Sequence, residues 1–73
     1  MMFSKKIVIK VDGMNCEHCA QTVINGLKEI KSIKSVKVSL KNKKVTIRHK
    51  NILNISDIEN KINSLGYKYI GVE

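Results

Sequence analysis

The chain is 73 residues long, so it is expected to form one small domain whose burial of apolar surface only narrowly exceeds the entropy cost of folding. Hydrophobic residues make up 42% and Trp is absent, which predicts a single aliphatic core and excludes a cavity for a large organic substrate. The net charge of +8 makes acidic surfaces the natural partners, although many lysines are expected only to solvate the surface.

The N-terminal segment 1–6 lacks the apolar run and cleavage site of a signal peptide, and no stretch is long enough to span a membrane. Two cysteines are too few for a disulfide framework. We therefore expect one domain over residues 1–73 in a reducing cytoplasm, with both thiols available and no membrane insertion. The initiator-like Met1 and the short termini favour a free-standing protein.

The first half of the chain alternates between two kinds of hydrophobic period. A period of two over 5–11 predicts a strand, and helical spacing over 17–31 predicts a helix. Alternation returns over 35–40 and over 44–48, and the polar turn 41–43 between them indicates a hairpin.

The second half begins with Ser56-Asp57-Ile58-Glu59, which has the form of a capping box and predicts a helix start at Ser56, with Ile55 packing against its first turn. Gly66 suits the left-handed residue that ends such a helix, and 68–72 is a last short strand. The order is β-α-β-β-α-β, which predicts an α+β ferredoxin-like sandwich: a four-stranded antiparallel sheet covered on one face by two helices.

Chain handedness decides which loops lie together. A right-handed crossover makes the first two strands parallel, so the turn containing the cysteines, the hairpin turn 41–44 and the turn 65–67 share one end of the domain. His49 lies at the other end of its strand, on the order of 15 to 20 Å away.

Cys16 and Cys19 lie three positions apart, between the first strand and the first helix. The positive end of a helix dipole favours thiolate and lowers its pKa. A pair of thiolates on a turn can form a disulfide, or can bind a soft d10 ion such as Cu(I), which needs only two or three sulfur ligands. A structural zinc site would require four ligands. His49 lies too far away, and His18 is expected to be an exposed neighbour that tunes the site.

The segment Gly13-Met14-Asn15-Cys16-Glu17-His18-Cys19 resembles the Gly-Met-x-Cys-x-x-Cys signature of heavy-metal-associated domains. These domains occur in cytosolic copper chaperones and at the N-termini of copper-transporting P-type ATPases. The resemblance covers essentially the whole chain, including the Gly66-Tyr67 pair. It implies that Cys16 and Cys19 are the Cu(I) ligands.

The same resemblance assigns roles to the neighbours of the cysteines. Met14 is expected to be a core plug that holds the loop, although its thioether is also a soft copper ligand. Tyr67 matches a tyrosine of bacterial copper chaperones, and its ring is expected to shield the metal and to hydrogen-bond near a sulfur. Asn15 is neutral where zinc- and cadmium-exporting relatives resemble one another in having a carboxylate, so the chain leans towards copper.

The predicted function is that of a cytosolic copper chaperone rather than an enzyme. It would hand Cu(I) by ligand exchange to the metal-binding domain of a copper-transporting P-type ATPase or to a copper-responsive repressor. A copper-bridged homodimer is a further possibility. Lysines at the cysteine end of the domain would offset the charge of the thiolate–copper centre and steer an acidic partner: Lys41, Lys43, Lys44 and Lys68.

Three alternatives accompany this prediction. The first is a domain excised from a copper ATPase, which the sequence does not distinguish from the favoured free-standing chaperone. Cys-x-x-Cys at a helix start is also the thioredoxin arrangement, but the chain has no Trp beside the motif and no Pro. The same topology supports RNA recognition, yet the basic open sheet face lacks stacking aromatics apart from Tyr69, so no specific nucleic-acid binding is expected. That face would carry Lys6, Lys10, Lys37, Lys44, Thr46 and Arg48.

Overall fold

The computed structural model describes residues 5–50 and 52–73. Met1 and the rest of the segment 1–4, on which the signal-peptide and free-standing predictions partly rest, lie outside the described residues, as does Asn51. The order of elements confirms the β-α-β-β-α-β prediction. The elements are β1 (Lys5–Asp12), α1 (Glu17–Lys28), β2 (Ile33–Ser39), β3 (Lys44–His49), α2 (Ile55–Ser64) and β4 (Lys68–Val72).

The four strands form one antiparallel sheet in the order β2-β3-β1-β4. β1 and β2 run in the same direction on either side of β3, as a right-handed crossover requires. Both helices pack on one face of the sheet and enclose the core with it, which confirms the ferredoxin-like α+β fold. The fully buried side chains are Ile9, Val11, Val23, Leu27, Val45, Ile47, Ile58 and Ile62.

The two helices approach each other closely at Gly26. A Cβ atom at this position would lie only 2.7 Å from Cδ1 of Leu65, so the leucine fills the space that a side chain would need. Beside this contact, the Lys61 ammonium pairs with the Glu29 carboxylate at 2.9 Å. Close packing and one ion pair therefore fix α1 against the end of α2.

The prediction that α1 extends to residue 31 is wrong, because the helix ends at Lys28. The N–H of Ile30 bonds to the Leu27 carbonyl at 3.0 Å, and the N–H of Ile33 bonds to the Ile30 carbonyl at the same distance. Ile30 still packs against the core from this turn. The early end allows buried Ile33 to pair with His49, so β2 starts two residues before its predicted position.

The predicted capping box at the start of α2 is also wrong. Asn54 is the N-cap, and its side-chain oxygen accepts a hydrogen bond from the Ser56 N–H at 2.9 Å. Ile55, expected before the helix, is its first residue and packs against the core. The prediction for the other end is confirmed, since Gly66 has φ +95 and the Tyr67 N–H bonds back to the Ile62 carbonyl at 3.2 Å.

The sheet face opposite the helices is open, and Tyr69 does not lie on it. Its ring packs against the core, and its N–H bonds to the side-chain oxygen of Asn63 at 3.4 Å. The sequence-based suggestion that Tyr69 supplies an aromatic to the open face is therefore wrong. Neither described helix is long and apolar enough to cross a membrane.

Candidate metal centre

The turn after β1 is shaped by a glycine and a buried methionine. Gly13 has φ +100, a left-handed conformation that favours glycine, and its N–H bonds to the Asp12 carboxylate at 3.0 Å. Met14 follows with only 5% of its surface exposed, and its side chain belongs to the core cluster. The buried Met14 side chain therefore anchors the loop to the core, and the residues that follow it lie at the surface.

Cys16 and Cys19 meet at the start of α1. Cys16 is the N-cap residue, and its carbonyl accepts the first helical hydrogen bond from the Ala20 N–H at 3.1 Å. Its side chain caps no backbone N–H, and its thiol instead points to the Cys19 sulfur at 3.6 Å. Both cysteines are free thiols, Cys16 exposed and Cys19 partly buried. The fold thus presents two sulfurs close together at the surface.

The surroundings of Cys19 favour its ionised form. A hydrogen bond from the Tyr67 hydroxyl is the main cause that lowers the pKa of the Cys19 thiol to about 7. The Asn15 backbone N–H and the Cys16 thiol lower it further, while partial burial opposes them. The same hydrogen bond raises the pKa of Tyr67, because the phenol must keep its proton to donate it, and burial and the charge of the Cys19 thiolate add to the effect. A nucleophilic thiolate is therefore available near neutral pH.

The thiol pair has no third ligand of the usual kinds among residues 5–50 and 52–73. No group of three or more His, Cys, Asp or Glu side chains in these ranges is arranged to hold a metal ion. His18 is exposed, and its carbonyl accepts a hydrogen bond from the Thr22 hydroxyl at 3.0 Å. His49 pairs with Lys5, at the end of β3 remote from the cysteine turn, as the topology predicted. The site can therefore offer two sulfurs and an open side.

Tyr67 and the hairpin turn surround the cysteine turn. The ring of Tyr67 lies over Gly13, where an added Cβ would be 3.4 Å from its Cδ1. The Val11 N–H bonds to the Lys43 carbonyl at 3.1 Å, so the hairpin turn is fastened to the end of β1. Sequence spacing gives no signal for the Tyr67 contact with Cys19, which joins residues 48 positions apart and was anticipated only from the family resemblance.

The four lysines predicted near this end differ in their pairing. Lys43 lies 3.8 Å from the Asp12 carboxylate. Lys44 pairs with Glu73, a residue that the sequence did not single out and that lies 29 positions away. Lys41 and Lys68 are exposed and make no ion pair with the described residues. The unneutralised positive charge near the cysteine turn is therefore carried mainly by Lys41 and Lys68.

The fold and the dithiol turn together define a known class of small domain. The profile of the heavy-metal-associated domain family matches residues 8–68, and the chain belongs to this family. It is 28% identical over 64 residues to the copper chaperone CopZ of Staphylococcus aureus strain MRSA252, covering 86% of this chain and 94% of that protein.

Solved structures agree with this assignment. A CopZ metallochaperone superposes with a TM-score of 0.83 at 28% identity, covering 90% of this chain and all of that one. A copper binding domain from HMA7, a P-type ATPase, gives 0.85 at 22% identity, covering 97% and 96%. The N-terminal domain of ZntA in its Zn(II) form gives 0.81 at 24%, covering 90% and 89%. The last two show the shared fold alone.

Proposed function

We propose that this protein is a copper chaperone, a carrier rather than an enzyme, that binds Cu(I) between Cys16 and Cys19 in the cytoplasm. The observation that carries the proposal is the pair of free sulfurs 3.6 Å apart at an exposed helix start, with no third ligand beside them in the described residues. Cu(I), a soft monovalent ion, can be bound by two thiolates alone, whereas structural zinc requires four ligands. Neutral Asn15 adds no carboxylate to the set.

The surrounding residues prepare the sulfurs. Tyr67 donates to Cys19 and favours its thiolate, and its ring covers the turn beside Gly13. Met14 faces the core, so its role is to hold the loop rather than to bind the ion. His18 is an exposed neighbour that tunes the site. These three residues act around the metal, and only the two cysteines bind it.

Transfer proceeds by exchange of thiolates, and the copper ion is the cargo. A cysteine thiolate of the partner attacks the ion from its open side and forms one new Cu–S bond. The resulting three-coordinate centre then loses one of its original Cu–S bonds. A second exchange completes the transfer, and no free ion is released. Low coordination therefore reconciles tight binding with fast delivery.

The proposed partner is the metal-binding domain of a copper-transporting P-type ATPase, with a copper-responsive repressor as a second recipient. Positive charge from Lys41 and Lys68 offsets that of the two-thiolate copper centre and attracts an acidic face. Two such turns can also share copper across a homodimer. The likeness to an ATPase domain fits a carrier that docks on a copy of its own fold.

Anaerobic titration with Cu(I) against a chromophoric competitor tests the metal site. We expect one tightly bound ion per chain, and a loss of several orders of magnitude in affinity for Cys16→Ser and for Cys19→Ser. His18→Ala is the matched control, because it alters a neighbour in the same turn and should retain binding. Unchanged copper affinity in both cysteine variants would refute the assignment, and reduction of a protein disulfide without copper binding would favour an oxidoreductase.

The docking proposal is tested by the rate of copper transfer to an acidic ATPase domain at low salt. Reversing Lys41 and Lys68 to Glu should slow transfer by about tenfold or more and leave copper affinity nearly unchanged. Lys28→Glu with Lys31→Glu changes the net charge equally, away from the cysteine turn, and should have a smaller effect. Equal slowing by the two double variants would contradict local steering.

A further inference from the structure

Cations gather on the open sheet face, in a pattern fixed by strand register. Lys6 of β1 lies opposite Arg48 of β3, and Lys10 lies opposite Lys44. Lys37 of β2 lies opposite Thr46, the residue between these two pairs on β3. We call these five cations the basic sheet face: Lys6, Lys10, Lys37, Lys44 and Arg48.

The acidic residues compensate this face only in part, and Asp12, which lies beside Lys10 and Lys44, pairs with Lys43 outside the face. Four of the six, Glu17, Glu29, Asp57 and Glu59, belong to the two helices or their ends, on the opposite side of the sheet. Among the described residues Glu73 alone forms an ion pair with the basic sheet face, through Lys44, and the charges of Lys44 and Lys10 lower the pKa of its carboxyl. Like charges placed directly opposite each other destabilise a sheet, so an external anion would relieve a repulsion built into the fold.

Glu73 shows what kind of group the face accepts. The Glu73 N–H bonds to the Val8 carbonyl at 2.9 Å, so the end of the chain continues alongside β1. The Glu73 carboxylate reaches across β1 to the Lys44 ammonium on β3. The contact places an oxyanion over the sheet between two strands that carry lysines. An anionic group from outside the chain can make the same contact.

The arrangement of the cations indicates a broad anionic surface rather than a nucleic acid strand. The five cations spread over three strands, and no aromatic side chain of residues 5–50 and 52–73 stands among them to stack on bases. Ile70 projects from β4 beside Lys10 and Lys44 with 53% of its surface exposed. A flat cationic face with an exposed aliphatic side chain is suited to a lipid surface of opposite charge.

We propose that the basic sheet face docks the protein on anionic lipid membranes. The domain then lies with its sheet towards the headgroups and its two helices towards water. The cysteine turn follows β1 at the end of the strand, so it stays at the side of the docked domain and is not covered by lipid. The association is peripheral and reversible, and it depends on charge rather than on the thiols.

Co-sedimentation of the metal-free protein with vesicles tests this proposal. The protein should sediment with phosphatidylcholine vesicles that contain about a third phosphatidylglycerol, should remain in solution with pure phosphatidylcholine, and should be released by salt. Lys6→Gln with Arg48→Gln should weaken binding by about tenfold or more. Lys28→Gln with Lys31→Gln removes the same charge away from the sheet and should weaken it much less. Thermal unfolding should show both variants folded.

Three results would overturn the proposal: equal sedimentation with neutral vesicles, equal loss in the two double variants, or tighter binding to single-stranded RNA than to anionic vesicles. A variant with both Cys16→Ser and Cys19→Ser should sediment like the unaltered protein. Because this variant removes the proposed copper ligands, lipid docking and copper transport can fail or succeed independently.

Discussion

The two helices begin with different kinds of residue. At the start of α2, the Asn54 side chain accepts a hydrogen bond from the Ser56 N–H at 2.9 Å, which is ordinary capping. At the start of α1, Cys16 holds the N-cap position, and its side chain caps no N–H group. Its sulfur faces Cys19 instead. The start of α2 is therefore stabilised by a side-chain cap. The start of α1 lacks such a cap and instead places two sulfurs side by side.

The residues two positions before each N-cap also differ, in how deeply they are buried. Met14, two positions before the N-cap of α1, is almost completely buried. Ile52, two positions before the N-cap of α2, is 88% exposed. Two positions before the N-cap, the turn that lacks a side-chain cap is therefore anchored by a buried residue, whereas the capped turn has an exposed one and packs against the core only through Leu53 and Ile55. Substitutions at the two turns should separate stability from metal binding.

The largest effect on stability is expected at Met14. Met14→Ala should lower the free energy of unfolding by about 3 kcal/mol, because it leaves a cavity in the core. Ile52→Ala is the positional control and should change stability by less than about 0.5 kcal/mol. Urea denaturation measures both. Met14→Leu conserves volume and should keep the copper affinity, whereas a large loss of affinity would show that the thioether is a ligand.

A medium effect is expected at the capped start of α2. Asn54→Ala should cost about 1 kcal/mol of unfolding free energy, because the Ser56 N–H loses its partner. Copper affinity, measured by competitor titration, should be unchanged. A variant that bound copper more weakly than its lost stability explains would contradict the separation of the two helix starts.

A smaller effect of opposite sign is expected at Cys16. Serine is a preferred N-cap residue, so Cys16→Ser should raise the free energy of unfolding of the metal-free protein by about 0.5 kcal/mol. The same variant should lose copper binding. Cys19→Ser places serine inside the helix, where it caps nothing, and serves as the control. The measurement is denaturant unfolding in the absence of metal. A Cys16→Ser variant clearly less stable than the unaltered protein would contradict this interpretation.

The smallest effect on stability is expected from the ionisation of Cys19 as the pH changes. The pKa of Cys19 falls from 9.0 to about 7 on folding, so its thiolate stabilises the fold at and above pH 9, and this contribution is lost as the pH falls through 7. Tyr67→Phe removes the main cause and should raise the pKa of Cys19. Thiolate absorbance during a pH titration measures the change. An unaltered titration in Tyr67→Phe would show that other groups set the pKa.

Much of the fold could be predicted because hydrophobic period and turn chemistry agree along most of the chain. The strands alternate clearly, and Gly66 ends α2 in the left-handed conformation expected for it. The start of α2 was mispredicted because both Asn54 and Ser56 are good N-cap residues, and the Ser-x-x-Glu pattern favoured the wrong one. The end of α1 was missed because neither Gly nor Pro marks it, and the burial of Ile33 decides it.

The site was predictable in part. Cysteine spacing at a helix start indicates two thiols that can meet, and the structure places their sulfurs 3.6 Å apart. The contact of Tyr67 with Cys19 and the pairing of Lys44 with Glu73 join segments far apart in the chain. Such contacts depend on the register of β4 against β1 and on its irregularity beside Lys10, which no local pattern encodes.

The close approach at Gly26 links the helix interface to the reactivity of the thiols. A side chain at this position must displace Leu65, because its Cβ would lie 2.7 Å from the leucine Cδ1. Leu65 stands two residues before Tyr67, whose hydroxyl sets the pKa of Cys19. A random mutagenesis screen for altered copper exchange should therefore recover substitutions of Gly26, a residue that touches no metal ligand and is buried between the helices.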